Sequence, residues 1–149
     1  MAEEVQKTFA GTDTIVVPAK KEEFEKIRLW MTNIFDQLDI QGKPRKQLFI
    51  VADEIFTNIS SYAYCDKEEG GDASLTLKYL PEEKAVTLIF SDTGIQYNPL
   101  TQEPPDIVKR IQELTVGGLG IFMVRKMVTA IDYEYKDSHN ILTLKKLIA

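Results

Sequence analysis

Residues 73–90 read ASLTLKYLPEEKAVTLIF, and the pattern of this stretch decides the fold. Ala73, Leu75, Leu77 and Tyr79 alternate with Ser74, Thr76 and Lys78, the period-two signature of a strand with one buried face. Pro81-Glu82-Glu83-Lys84 reads as a turn and Ala85 to Phe90 as a second strand, so the pair predicts a hairpin. Working back from it, Cys65 to Asp72 is a polar loop, preceded by two helical patterns. Between Ala19 and Leu38 the apolar residues Phe24, Ile27, Met31, Ile34 and Leu38 recur three and four apart, which predicts an amphipathic helix. Gln41-Gly42-Lys43-Pro44 ends it, and in the following helix Leu48, Val51, Ala52, Ile55, Ile59 and Tyr62 share one face. The partly β-branched segment Val5 to Val17 predicts a strand or strand-like arm.

Working forward, residues 91–118 are irregular except for a short helix around Asp106 to Leu114. Gly117-Gly118-Leu119-Gly120 then opens a third apolar helix that runs to about Ala130. Asp132 to Lys136 and Ile141 to Leu147 form a closing hairpin around Asp137-Ser138-His139-Asn140. The order β, α, α, β, β, loop, α, β, β predicts an α+β fold: a two-layer α/β sandwich with helices on one face of a mostly antiparallel sheet. The strand–crossover alternation of a doubly wound fold is absent.

With 149 residues, 44% apolar and 28% charged, residues 1–149 are expected to form one domain that buries roughly two thirds of its unfolded surface. There are 23 acidic and 18 basic residues, a net charge of -5, and the basic residues form no stripe. A protein that binds nucleic acid by neutralising phosphates needs such a stripe, so no direct nucleic-acid contact is expected. A small phosphate ligand is still allowed, because glycine loops and helix N-termini bind anions without a basic field. No apolar run approaches the ~18 residues of a membrane span, and the first residues lack the apolar core of a signal peptide. Cys65 is the single cysteine, so no intramolecular disulfide can form. A cytoplasmic protein is the expectation.

Three places break the local pattern. Glu54 and Asn58 are one helical turn apart, on the border between the buried and wet faces of the second helix, where a carboxylate and an amide reach into a neighbouring cleft. Such a pair can orient a nucleophile and bind a divalent cation, or simply be a solvated helix flank. Ser91-Asp92-Thr93-Gly94 follows an apolar strand; its Asp can accept a hydrogen bond from an exocyclic amine, or the segment is an ordinary Asp-x-Gly turn. Gly117-Gly118-Leu119-Gly120 exposes backbone N–H groups at a helix N-terminus, a phosphate cradle or a structural turn.

Taken in order, Glu54-x-x-x-Asn58, Asp92-x-Gly94 and Gly117-Gly118-Leu119-Gly120 resemble the N, G1 and G2 boxes of the GHKL ATPase superfamily. The nearest resemblance is to its stand-alone branch of anti-sigma factors and serine-protein kinases. Ala63-Tyr64, Tyr97-Asn98-Pro99-Leu100 and the closing hairpin through Asn140 extend the likeness over nearly the whole chain. The resemblance implies the Bergerat α/β sandwich, with ATP and Mg²⁺ as cofactors and a lid over roughly Thr101 to Val116. Glu54 would be the general base, Asn58 the Mg²⁺ ligand and Asp92 the acceptor for the adenine amine, with Gly94 beside the ring. Gly117, Gly118, Leu119 and Gly120 would meet the phosphates, and Lys109 or Arg110 the γ-phosphate. The implied partners are a sigma factor and an anti-sigma-factor antagonist whose serine is phosphorylated, and the implied assembly is a homodimer. Two departures bear on catalysis more than on binding: Tyr62 stands where the family often has histidine, and Gln96 where a longer G1 box has a second glycine. The alternative is therefore a non-catalytic partner-switching module, with nucleotide tuning its affinity or absent. His139 reads as a surface residue, Cys65 as a thiol without catalytic partners, and Phe24, Trp30 and Phe35 as core or dimer surface.

Overall fold

The computed structural model describes residues 8–101 and 120–149. Strand β1 spans Thr12–Pro18, and a short 3-10 turn at Lys21–Glu23 leads into helix α1 at Phe24–Leu38. Helix α2, Gly42–Asn58, continues directly into a π-helical turn at Ile59–Ala63. Strands β2 (Asp72–Leu80) and β3 (Ala85–Asp92) form the expected hairpin. Helix α3 is described over Gly120–Met127, and strands β4 (Ala130–Lys136) and β5 (His139–Leu147) close the chain. The sheet order is β1-β2-β3-β5-β4, and every pair is antiparallel.

Period-two patterning builds the sheet's inner face. Leu75 and Leu77 of β2, Val86, Leu88 and Phe90 of β3, and Leu142 and Leu144 of β5 are all buried. They pack against Ile27, Met31, Ile34 and Phe35 of α1 and Leu48, Val51, Ala52, Ile55 and Phe56 of α2. Each side chain of this size contributes about 1.5–3 kcal/mol through burial, so the helices lie flat on one face of the sheet. Phe35 is fully buried, whereas Phe24 and Trp30 are only partly so. The Trp30 indole N–H donates to Asp13 Oδ2 at 2.9 Å, tying α1 to β1. No described helix is long and apolar enough to cross a membrane.

Three boundaries differ from expectation. The first strand begins at Thr12 rather than Val5; Gly11, at φ +92°, turns the chain into it, and residues 1–7 lie outside the described residues. The first helix starts only after the 3-10 turn, because the Ala19 N–H is still bonded to Gly71 O at 2.9 Å and prolongs the sheet edge. The third helix stops at Met127 instead of Ala130: Thr129 N–H donates to Lys145 O at 2.8 Å, and Ala130 already pairs with Lys145 in the ladder. The short helix expected around Asp106 to Leu114 lies outside the described residues.

The closing hairpin is tighter than expected. Asp137 and Ser138 both have positive φ, 52° and 64°, as the two central residues of a type I′ turn require. His139 and Asn140 are therefore not turn residues but the first two of β5.

Candidate functional site

The inward series of β3 runs Val86, Leu88, Phe90 and then Asp92. Alternation thus delivers a carboxylate to the core side of the sheet, where an apolar residue would otherwise stand, and Asp92 is only 7% exposed. The same happens on β5, where Leu144 and Leu142 are followed inward by Asn140, 8% exposed. Asp92 and Asn140 are register partners, so the two polar side chains meet at the end of an otherwise apolar face.

Their hydrogen bonds are well defined. Asn140 Nδ2 donates to Asp92 Oδ1 at 2.9 Å and to Ile95 O at 2.8 Å. Asn140 Oδ1 accepts from Tyr97 N–H at 3.1 Å and from the Tyr133 hydroxyl at 2.5 Å. Asp92 Oδ1 takes a second bond from Gly94 N–H at 2.9 Å. Burial pushes the Asp92 carboxyl above the usual carboxylate range, while the bonds from Asn140 and Gly94 pull it back. Burial also raises the Tyr133 phenol, as does the nearby Asp92 charge.

The end of α2 is joined to this corner. Ile95 N–H donates to Ala63 O at 2.8 Å, and the Tyr64 hydroxyl donates to Asp72 O at 2.5 Å while accepting from Thr93 N–H at 2.9 Å. The close approach depends on Gly94, since a Cβ there would overlap the backbone carbonyl and the Cβ of Ala63. Gly94→Ala is expected to destabilise the fold by about 1–3 kcal/mol, the ordinary cost of overpacking against atoms that cannot step aside. A denaturant midpoint unchanged from the wild type would contradict that contact.

Between the π-helical turn and the sheet lies a cleft that is open to solvent. Ile55, Ile59, Phe90 and Leu142 supply apolar walls, Tyr62, Tyr97, Pro99 and Tyr133 line it further, and Asn58, Asp92 and Asn140 are its polar groups. An apolar slot with a buried carboxylate at its end suits a flat heteroaromatic ring that carries an N–H donor. A π turn inserted at the end of an α-helix is often found at functional sites; here it sets the helix terminus beside Asn58.

The residues singled out in the sequence fall into three groups. Asn58 and Asp92 line the same cleft, and Gly94 packs against Ala63, one of its lining residues. Glu54, half-buried one turn before Asn58, is not among the cleft's lining residues. Its carboxylate lies against Gly120 of α3, where a Cβ would collide with Oε2. Gly117, Gly118, Leu119, Lys109, Arg110 and nearly all of the expected lid lie outside the described residues. Among the described residues no group of three or more His, Cys, Asp or Glu side chains could hold a metal ion. His139 is exposed, its Nδ1 2.7 Å from Asp137 O. The Cys65 thiol is raised by burial and by the Asp66 charge, which disfavours the nucleophilic thiolate.

Sequence reasoning missed the site roles of Asn140 and Tyr133. The signal that would have found them is the Asn140, Leu142, Leu144 alternation, which mirrors Phe90 and Asp92 once the turn is shortened to two residues.

Comparison with known proteins agrees with this fold. The histidine kinase-like ATPase domain family matches residues 17–146. The chain is 26% identical over 133 residues to the serine/threonine-protein kinase BtrW of Bordetella bronchiseptica, covering 89% of this chain and 92% of that protein. It is 28% identical over 141 residues to the serine-protein kinase RsbW of Halalkalibacterium halodurans, covering 92% and 83% of the two chains. Among solved structures it is similar to the histidine kinase domain of the blue-light activated histidine kinase EL346 from Erythrobacter litoralis. That match has a TM-score of 0.53 at 15% identity and covers 97% of this chain and 67% of that one, a likeness of fold. The antiparallel sheet with its helices on one face is thus a known architecture, and the chain belongs to the histidine kinase-like ATPase domain family.

Proposed function

We propose that this chain is an ATP-dependent serine-protein kinase of the anti-sigma type, acting as one nucleotide-binding domain in the cytoplasm. The observation that carries the reading is the buried Asp92 at the end of an apolar slot, with Asn58 on the slot's helical wall and Glu54 one turn further out. An adenine ring would be held in this slot, with the Asp92 carboxylate as acceptor for its amine. Asn58 offers an amide oxygen, the hard donor type that Mg²⁺ takes. ATP with Mg²⁺ supplies the phosphoryl group and neutralises charge on the phosphate oxygens. Glu54 acts as the general base that accepts the proton of the attacking serine hydroxyl. By the resemblance, Gly117, Gly118, Leu119 and Gly120 would hold the phosphates through backbone N–H groups, and Lys109 or Arg110 the γ-phosphate.

The serine-protein kinase names of BtrW and RsbW support the reaction type. The substrate is then an anti-sigma-factor antagonist bearing the serine, the second partner a sigma factor, and the working form a homodimer. The net charge of -5 supports a protein partner over direct nucleic-acid contact. Calorimetry with ATP and Mg²⁺, followed by a radiolabelled-ATP assay on proteins captured from the native host, tests the reading. Expected are saturable binding and label on a serine of a captured protein. Binding without transfer would make the chain a nucleotide-tuned partner-switching module, and no binding would end the ATP reading.

A further inference from the structure

We propose that Asn140 is a positioning residue for nucleobase choice: by holding Asp92 through Oδ1, it leaves Oδ2 as a fixed acceptor that makes the cleft favour a 6-amino over a 6-oxo purine. This rests on the ATP-binding reading of the same cleft.

The hydrogen bonds at Asn140 fix its amide orientation twice over. Tyr97 N–H can only donate, so the atom it meets is the Asn140 oxygen. Ile95 O can only accept, so the atom it meets is the Asn140 nitrogen. The amide therefore cannot be turned over without breaking both bonds. The remaining hydrogen of Nδ2 points to Asp92 Oδ1, and the Tyr133 hydroxyl donates to Asn140 Oδ1. All four hydrogen-bonding sites of Asn140 are in use, so its influence on a ligand is exerted through Asp92.

Asp92 Oδ1 in turn faces two groups that can only donate, Gly94 N–H and Asn140 Nδ2. That oxygen is confined to accepting, and rotating the carboxylate would break both bonds. Among the described residues none donates to Oδ2, which leaves it as the oxygen available to a base. An amine at purine position 6 donates to it; a carbonyl at the same position sets two acceptors against each other. Without Asn140 only the Gly94 bond restrains the carboxylate, which can then pivot or present a carboxylic O–H to a carbonyl.

The test compares ATP with inosine triphosphate, which carries a 6-oxo purine on the same sugar and phosphates. Dissociation constants are measured by calorimetry on the full chain and its variants, with thermal melts to follow folding. Wild type is expected to prefer ATP by about a hundredfold. Asn140→Ala is expected to narrow that ratio at least about tenfold, and Tyr133→Phe, which loses a single bond to the amide, about two- to fivefold. A ratio preserved while both nucleotides weaken together would show mere structural support and overturn the proposal. If Asn140→Ala fails to fold, Tyr133→Phe decides: a narrowed ratio supports the proposal and an unchanged one overturns it. Wild type that binds neither nucleotide removes the ATP reading itself, and with it this one. Wild type that binds ATP, with both variants keeping its selectivity, sinks only the role of Asn140.

Discussion

Asp92→Asn is expected to lose ATP binding and keep its fold. The new side chain can turn its oxygen toward Gly94 N–H and Asn140 Nδ2, preserving both internal bonds. Its amide nitrogen then replaces the outward carboxylate oxygen, so a donor confronts the adenine amine. Losing a hydrogen bond to a charged acceptor costs about 1.5–3 kcal/mol, roughly 10- to 150-fold in affinity, and the opposed donors add to it. Stability moves the other way. Burial holds the Asp92 carboxyl above its ordinary value in the folded chain. Between the unfolded and folded values the native state binds more protons, so its stability falls as pH rises through that window. The neutral amide carries no such cost. The variant should therefore melt at or above the wild-type temperature at pH 7, and the gap should close as pH drops toward the ordinary carboxylate value. Calorimetry and melting curves at the two pH values check both halves; a variant that still binds ATP at wild-type affinity would remove Asp92 from base recognition.

Glu54→Ala is expected to do the reverse, keeping the nucleotide and losing the reaction. Glu54 is half-buried, is not among the residues lining the cleft and lies against Gly120 instead. Its removal leaves the base contacts intact, so the dissociation constant for ATP should stay within about threefold. Loss of a positioned general base lowers transfer by about 10²- to 10⁴-fold, read as labelled serine per unit time at saturating ATP. Wild-type transfer by the variant would take away the base role. Loss of binding in step with transfer would place Glu54 in nucleotide affinity.

How much of this was readable beforehand depends on distance along the chain. Asp92 was legible because a period-two strand ran straight into it, and Glu54 and Asn58 because a four-residue spacing stacks side chains on one helix face. The resemblance supplied their grouping, and the match over residues 17–146 bears out the family from which that grouping was taken. Asn140 was illegible as a site residue for two reasons. Asp137-Ser138 adopts a double positive-φ turn without glycine or asparagine, so the start of β5 was set too late. Its partner Asp92 lies 48 residues away, and pairing at that range is decided by sheet register, not by any local pattern. The meeting of Glu54 with Gly120 is hidden for the same reason. The third helix reads too long because Val128, Thr129 and Ala130 show no break of their own; Val128 N–H still bonds Val124 O, but the sheet takes Thr129 and Ala130.

The two-residue reversal at Asp137 and Ser138 carries more than its size suggests. It meters β5 against its neighbours, and sliding that strand by a single position would swing the asparagine to the far side of the sheet, with His139 or Ile141 turned toward the carboxylate. Leu142 and Leu144 would leave the core with it, and the purine seat would be gone. Length at this one connection is thus a determinant of chemistry.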